Sequence, residues 1–305
     1  MHNRLIRWLV GAPPEMVGVY WGDHGCCFVH QTSTGEPFIA YEPTSKAADA
    51  PIWDSVLRRF EAISGIPRRD ISLAIALSAD DVFLRTISVP PGLSDAQLDQ
   101  IAIVEAVANL PVPPEEICLD FVRQGDVEKN NEQVGLAFCR RERIDEILAC
   151  AEEVSVRVWV VDRDVQAIHD ALIEELAITQ KTLIYPFGIL LTERSPRLVI
   201  CLSPTTIEAY PIGHHQSALE EEIANCWIRC RMSRPATSER LERIVFVGNA
   251  LEQDSVMLKN LSETMGVEAV RYAPRHIQKK LDTGGQIPSS EVFLVALGMA
   301  HRRLS

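Results

Sequence analysis

The chain has 305 residues, of which 47% are hydrophobic, 24% charged and 6% aromatic, a balance that excludes disorder and low-complexity filler and calls for a sizeable buried core. Lys and Arg number 30 against 42 Asp and Glu, a formal net charge of −12; so acidic a chain, with no basic stripe, argues against a nucleic-acid partner. At this length a single core stops growing, so two lobes, or one lobe carrying an insertion, are expected.

The eight cysteines, Cys26, Cys27, Cys118, Cys139, Cys150, Cys201, Cys226 and Cys230, lack the spacing of a secreted disulfide framework and point to a reducing compartment. The apolar stretch after Arg7 is too short for the core of a signal peptide. The longest apolar runs elsewhere, 198–202 and 292–300, fall well short of the roughly 20 residues that span a bilayer. A cytoplasmic chain with no transmembrane segment is expected. Arg4 and Arg7 interleaved with Leu5, Ile6, Trp8 and Leu9 suit an amphipathic turn resting on anionic lipid or on a partner.

In chain order, Met16 to Tyr20 and Cys26 to His30 read as a β-hairpin about Gly22 and Gly25. Ile52, Val56, Leu57, Phe60 and Ile63 recur at helical spacing over 51–64, and Gly65 and Pro67 stop that helix. Strands follow at 71–77 and 82–89. Ser94 to Gln97 has capping-box spacing and opens a helix to about Asn109, closed by Pro111, Pro113 and Pro114. Ile117 to Arg123 and Gln133 to Cys139 alternate like paired strands about a polar loop, 124–132. Helices are expected at 141–151 and 165–176 around a strand at 156–161. A second hairpin is read at 198–202 and 206–211, followed by a helix at 218–230, a strand at 243–247, and helices at 254–265 and 292–302. Two hairpin-then-helix halves suggest a duplicated α/β architecture with a cleft between them, the first half interrupted by an inserted segment.

Other constellations carry little. Cys226 and Cys230 with His214 and His215 permit a zinc site on paper, but adjacent histidines lack the usual spacing. Cys26 and Cys27 alternate across a strand, so at most one can line any site. Glu220 to Glu222 and Arg140, Arg141 and Arg143 read as helix ends presented to water. No phosphate-binding glycine loop or nucleophile elbow is present.

Several stretches, taken together, resemble the PilM family of type IV pilus assembly proteins and their HofM-type relatives. Pro90-Pro91-Gly92-Leu93-Ser94-Asp95 is similar to the family's P-x-G-L-S-D turn. Glu105-Ala106, Leu110-Pro111, Glu115-Glu116 and Leu119-Asp120-Phe121 follow its next conserved stretch. Cys139 to Asp145, Val161-Asp162, Phe246-Val247-Gly248 and Leu297-Gly298-Met299-Ala300 continue in the expected order. The resemblance implies an α/β actin-like fold of two ribonuclease-H-like lobes: a first lobe of 1–77 with 156–182 and the C-terminal helix 292–305, an inserted subdomain of 78–155, and a second lobe of 183–291. It implies a cytoplasmic protein peripheral to the inner membrane that binds the tail of a PilN-like bitopic protein between the insertion and the first lobe, with contacts to motor ATPases and scope for self-association. The partner groove is expected at Leu84, Leu98, Ile101, Val104 and Glu105.

An actin-type ATP site needs hairpins that wrap the phosphates and an Asp to hold hydrated Mg²⁺. Here Tyr20 stands where the first Asp is expected, ahead of Gly22, Asp23 and Gly25, and Cys27 stands where a Lys is expected. The second hairpin, read at Cys201-Leu202-Ser203 and Thr205, also lacks the Asp. The adenosine loop at Gly248 and Asn249 keeps one of two glycines. ATP and Mg²⁺ are therefore not expected to turn over here, and no catalytic residue or metal is assigned. The alternative is an actin-superfamily ATPase with a relocated metal ligand, Asp23 being the candidate; a further one is the cytoplasmic half of a type II secretion L-type protein, which the lack of a C-terminal transmembrane segment disfavours.

Overall fold

A computed structural model of the chain describes residues 15–31, 36–43, 51–128, 131–178, 185–191, 196–203, 206–212, 219–233, 241, 243–247, 259, 262–263, 266–272 and 287–301. In chain order these form β1 (Glu15–Gly22), β2 (Gly25–His30), β3 (Phe38–Glu42), α1 (Pro51–Ser64), β4 (Ile71–Leu77), β5 (Phe83–Val89), α2 (Asp95–Asn109), β6 (Ile117–Glu128), β7 (Asn131–Arg140), α3 (Arg141–Glu153), β8 (Arg157–Arg163), α4 (Asp164–Ile178), β9 (Phe187–Leu191), β10 (Arg197–Ser203), β11 (Thr206–Pro211), α5 (Leu219–Ser233), β12 (Arg243–Val247), β13 (Glu268–Arg271) and α6 (Ser290–Ala300). The helix expected at 254–265 falls largely outside the described residues, as do the first 14 residues.

Two five-stranded sheets share one topology. The first has the order β3-β2-β1-β4-β8 and the second β11-β10-β9-β12-β13. In each, an antiparallel three-strand meander is extended by parallel strands, β1 to β4 to β8 and β9 to β12 to β13. Strand alternation sorts the side chains between two layers. Val17, Val19, Cys26, Phe28, Leu73 and Ile75 face α1 and α3, where they meet Trp53, Leu57, Phe60, Ile144 and Ile147. Tyr20, Cys27, Val29 and Ala74 face α4 and α6, and the same core continues into Phe187, Ile189, Val199, Val245 and Val247 of the second sheet. The outer face of that sheet packs on Ile223 and Cys226 of α5. The result is five layers, with α4 and α6 as a middle layer common to both lobes.

The middle layer is tight because two glycines permit it. A Cβ on Gly18 would lie 1.9 Å from the Ala296 carbonyl oxygen, and a Cβ on Gly298 would lie 1.9 Å from the Ala167 carbonyl oxygen. Every residue of α6 from Glu291 to Met299 is buried.

The third sheet, β5-β7-β6, carries α2 on one face. Its core is Val89, Leu98, Ala102, Ala106, Leu110, Ile117, Val134, Leu136 and Phe138. The stretch most similar to PilM is a structural feature of this unit. Gly92 takes φ +82° in the turn, and Ser94 and Gln97 form the reciprocal capping box anticipated from their spacing. Arg123 on β6 reaches back to the Leu93 carbonyl oxygen at 2.6 Å and to Asp95 at 3.1 Å.

Several expectations change. The polar loop expected over 124–132 is mostly strand, because β6 runs on to Glu128 and β7 begins at Asn131. Strands β3, β9 and β13 were not anticipated: β9, Phe-Gly-Ile-Leu-Leu, is buried throughout and shows no alternation to read, and β13 is only 4 residues long. The inserted segment ends earlier than residue 155, since Ile144, Ile147 and Ala151 of α3 pack in the first-lobe core.

Candidate functional site

The hairpin β1–β2 turns through Asp23 and His24, closed by the pair Gly22 and Gly25. Gly25 has φ +136°, and a Cβ there would come within 2.4 Å of the Glu42 carbonyl oxygen, so the position admits only glycine. The Tyr41 hydroxyl donates to the His24 carbonyl oxygen at 2.8 Å and braces the tip. Tyr20, at the position of the expected Asp, is 2% exposed and belongs to the core shared by the lobes. Its ring occupies the foot of the hairpin with apolar atoms where a metal-holding carboxylate would stand.

The second hairpin needs correction. Matching strand orders make β9 the counterpart of β1 and β10 the counterpart of β2, so the equivalent turn spans 192–195, outside the described residues. Ser203 ends β10 at the opposite end of the strand, toward β11, and Thr205 lies outside the described residues. The misreading follows from missing β9. None of the residues Phe187 to Leu191 carries a carboxylate. Gly248 and Asn249 also lie outside the described residues.

The expected partner groove is not one surface. Leu98 is 1% exposed, inside the insertion core. Leu84 pairs with Ala137 on β7 while Phe83, Arg85 and Ile87 pair with Phe138, Leu136 and Val134; Leu84 therefore points away from α2. Ile101 and Val104 are exposed on α2, the latter at 72%. Glu105 accepts from Arg85 at 3.1 Å and from Asn109, a local pair that fastens helix to sheet.

A concave site does exist elsewhere, in the first lobe beside the turn that leads into the insertion, with one residue from the second lobe. It encloses about 290 Å³ and is lined by Trp21, Gly22, Asp23 and His24 of the hairpin, Ala76, Leu77 and Ser78 at the end of β4, Asp80 and Asp81 of the following turn, Arg143 and Ile147 of α3, and Arg197 of β10. Of the sequence candidates it gathers Gly22 and Asp23 only. Three carboxylates share the wall with two guanidinium groups: Arg197 donates to Asp80 at 2.8 Å, and Arg143 reaches Asp81 at 3.4 Å and Glu146. Ala76, Leu77 and Ile147 supply an apolar floor. The site thus offers acceptors and donors within one cleft whose wall is mostly polar. Sequence reasoning passed over Asp80, Asp81, Arg143 and Arg197. Arg141 and Arg143 are not idle solvated charges: Arg141 donates to the carbonyl oxygens of Glu115 at 2.6 Å and Ile117 at 3.2 Å. An arginine opening an otherwise apolar strand, Arg197 before Leu198, was the available signal.

Among the described residues no group of three or more His, Cys, Asp or Glu is placed to hold a metal ion, and no helix is long and apolar enough to cross a membrane. Cys26 and Cys27 are both fully buried and face opposite cores, as alternation requires. Cys226 is buried and accepts from Arg229 at 3.0 Å; His214 and His215 lie outside the described residues. His169 is held between Asp170 at 2.7 Å and the Tyr185 hydroxyl at 2.8 Å, a buried brace from α4 to the segment entering β9.

Residues 51–182 match the family model of the type IV pilus assembly protein PilM. Among solved structures, the chain is similar to one of the PilM–PilN type IV pilus biogenesis complex, with 18% identity, a TM-score of 0.67, and 95% of this chain and 98% of that chain covered. It is also similar to the cytoplasmic domain of EpsL, an inner-membrane component of the type II secretion system of Vibrio cholerae, with 13% identity, a TM-score of 0.51, and 90% and 97% covered. At these identities the likeness establishes the fold. The chain thus matches the PilM family model over 51–182 and is similar to PilM in its fold, an actin-like one, over nearly its whole length.

Proposed function

We propose that this chain is an adaptor of type IV pilus assembly that binds the cytoplasmic tail of a PilN-like inner-membrane protein, works at the cytoplasmic face of that membrane next to the machine's motor ATPases, and turns over no ATP. The observation that carries the reading is the cleft in the first lobe, beside the turn that leads into the insertion, in a chain whose 51–182 region matches PilM. An extended tail in this cleft would place its main-chain N–H groups against Asp23 and Asp81 and its carbonyl oxygens against Arg143, with an apolar side chain on Ile147. Alternating polar and apolar contacts of this kind fix register as well as affinity. Absence of turnover rests on chemistry: the foot of the first hairpin is filled by Tyr20, and a phenol buried among aliphatic groups does not order a hydrated metal as a carboxylate does.

Isothermal titration with a synthetic PilN-type tail peptide, run beside ATP with Mg²⁺, tests both halves. Peptide binding that weakens about tenfold in Asp81→Lys or Asp23→Lys, unchanged in Val104→Glu, is expected, with no heat from ATP. A peptide that fails to bind at high micromolar concentration overturns the adaptor reading. Saturable, Mg²⁺-dependent ATP binding accompanied by phosphate release overturns the claim about turnover and directs attention to Asp23 as a relocated ligand.

A further inference from the structure

We propose that Arg197 is a latch that holds the two lobes in one mutual position. Its backbone opens β10 in the second lobe, yet its guanidinium donates to Asp80 in the turn after β4 at 2.8 Å and lies 4.0 Å from Asp164. The arginine side chain is 4% exposed and that of Asp164 3%. A cation and an anion so far from water are expensive to bury and add little net stability against an apolar replacement, so their return is in fixing one arrangement over others.

The partners are themselves held. One oxygen of Asp164 accepts from the Val165 N–H at 2.7 Å and from the Ala79 N–H at 2.9 Å, which ties the turn to the start of α4 and leaves the second oxygen toward Arg197. The neighbouring Asp81 engages Arg143 of α3. Second lobe and first lobe thus converge on one four-residue turn, 78–81, from which the chain passes directly into β5 and the insertion. Because Asp80, Asp81, Arg143 and Arg197 all line the cleft, the latch also sets the shape of that cleft. It needs no bound molecule: the tie between lobes is part of the chain. The inference goes beyond the adaptor reading and holds whether or not a tail occupies the cleft.

The experiment is amide hydrogen exchange on the full chain, comparing wild type with Arg197→Met and with the double variant Arg197→Met, Asp164→Asn. Asn keeps the acceptor for Ala79 and Val165 and removes the stranded charge, so the pair is replaced rather than broken. Exchange over 76–81 and 197–200 is expected to accelerate about tenfold or more in both variants, while α2 and the β6–β7 ribbon exchange as in wild type. If Arg197→Met does not fold, the double variant decides. Wild-type exchange at 76–81 and 197–200 in the double variant overturns the latch. So does acceleration spread over the whole chain, which would make Arg197 a contributor to global stability instead.

Discussion

Replacing Gly298 by alanine tests the packing of the middle layer most directly. The added Cβ would stand 1.9 Å from the Ala167 carbonyl oxygen and 2.8 Å from its Cα, whereas real Cβ atoms essentially never come within 3.0 Å of another such atom. The helices must separate by about 1 Å. Residue 298 lies about 200° around the helix from 296 and from 300, and the backbone at Ala296 and Ala300 is what presses on Gly18. Helix α6 is therefore wedged between α4 and β1, and moving off one drives it toward the other. Overpacking of this kind costs typically 1–3 kcal/mol, and a backbone-on-backbone clash falls at the upper end, about 3 kcal/mol. For a chain of this size the melting midpoint should fall by about 6 °C. Denaturant unfolding of Gly298→Ala beside Gly188→Ala gives the comparison, because a Cβ at Gly188 meets the Ile244 side chain at 3.2 Å rather than backbone. Gly188→Ala should lose less than about 1 kcal/mol. A Gly298→Ala protein within about 0.5 kcal/mol of wild type would refute the wedge.

Ser94→Ala removes the capping box of α2 and should cost about 1 kcal/mol, read by denaturant unfolding, with the loss confined to the insertion in hydrogen exchange. Phe138→Ala empties the centre of the insertion core, where the ring also stacks on Phe83 at 5.6 Å; a loss of about 3–5 kcal/mol is expected. Arg68 donates to Asp54 at 2.9 Å, and this hydrogen bond holds the Asp54 carboxyl below its ordinary value of 3.8. A depressed folded value means the contribution is complete above the unfolded value and is lost as pH falls through the folded one. Titration of the Asp54 carboxyl by NMR should give a midpoint below 3.8 that rises toward it in Arg68→Ala, where the Arg58 pair remains. Burial pushes the Cys139 thiol up to about 12 and raises those of Cys26 and Cys201, so among the seven cysteines whose side chains the structure describes, iodoacetamide at pH 8 should label the half-buried Cys118 and Cys150 first. Early labelling of Cys26 or Cys201 in peptide mapping would contradict the packing described.

What the sequence disclosed, and what it hid, divides along the physics of patterning. Helix α1 coincided with its expected bounds because its apolar residues recur at helical spacing with charge opposite, although only Val56, Leu57 and Phe60 of the five read are buried and Ile63 is exposed. Strands β4, β11 and β12 also stood where read. Strand β9 escaped because both its faces are buried and a short unbroken apolar run has no period. That omission shifted the second hairpin by one strand and misplaced Ser203 and Thr205. At the candidate site, Gly22 and Asp23 were legible from turn chemistry. Asp80, Asp81, Arg143 and Arg197 were not, since their juxtaposition depends on segments more than 50 residues apart. The groove expected on α2 failed for a related reason: periodicity shows that a helix has two apolar sides but not which strand parity lies beneath it.

The shared middle layer bears on how the chain can be divided. Neither five-stranded sheet owns its inner face, because Phe187, Ile189 and Val245 on one side and Tyr20, Val29 and Ala74 on the other are covered by the same two helices. Cutting between the lobes would leave one fragment with both helices and a bare apolar flank, and the other with a sheet open to water. The insertion is differently placed, with a core drawn wholly from residues 87–138. The lobes are one unit of packing, and the insertion is a second unit fastened to them along a seam, where Cys118 and Cys139 meet the first-lobe core and Arg141 donates to the Glu115 and Ile117 carbonyl oxygens.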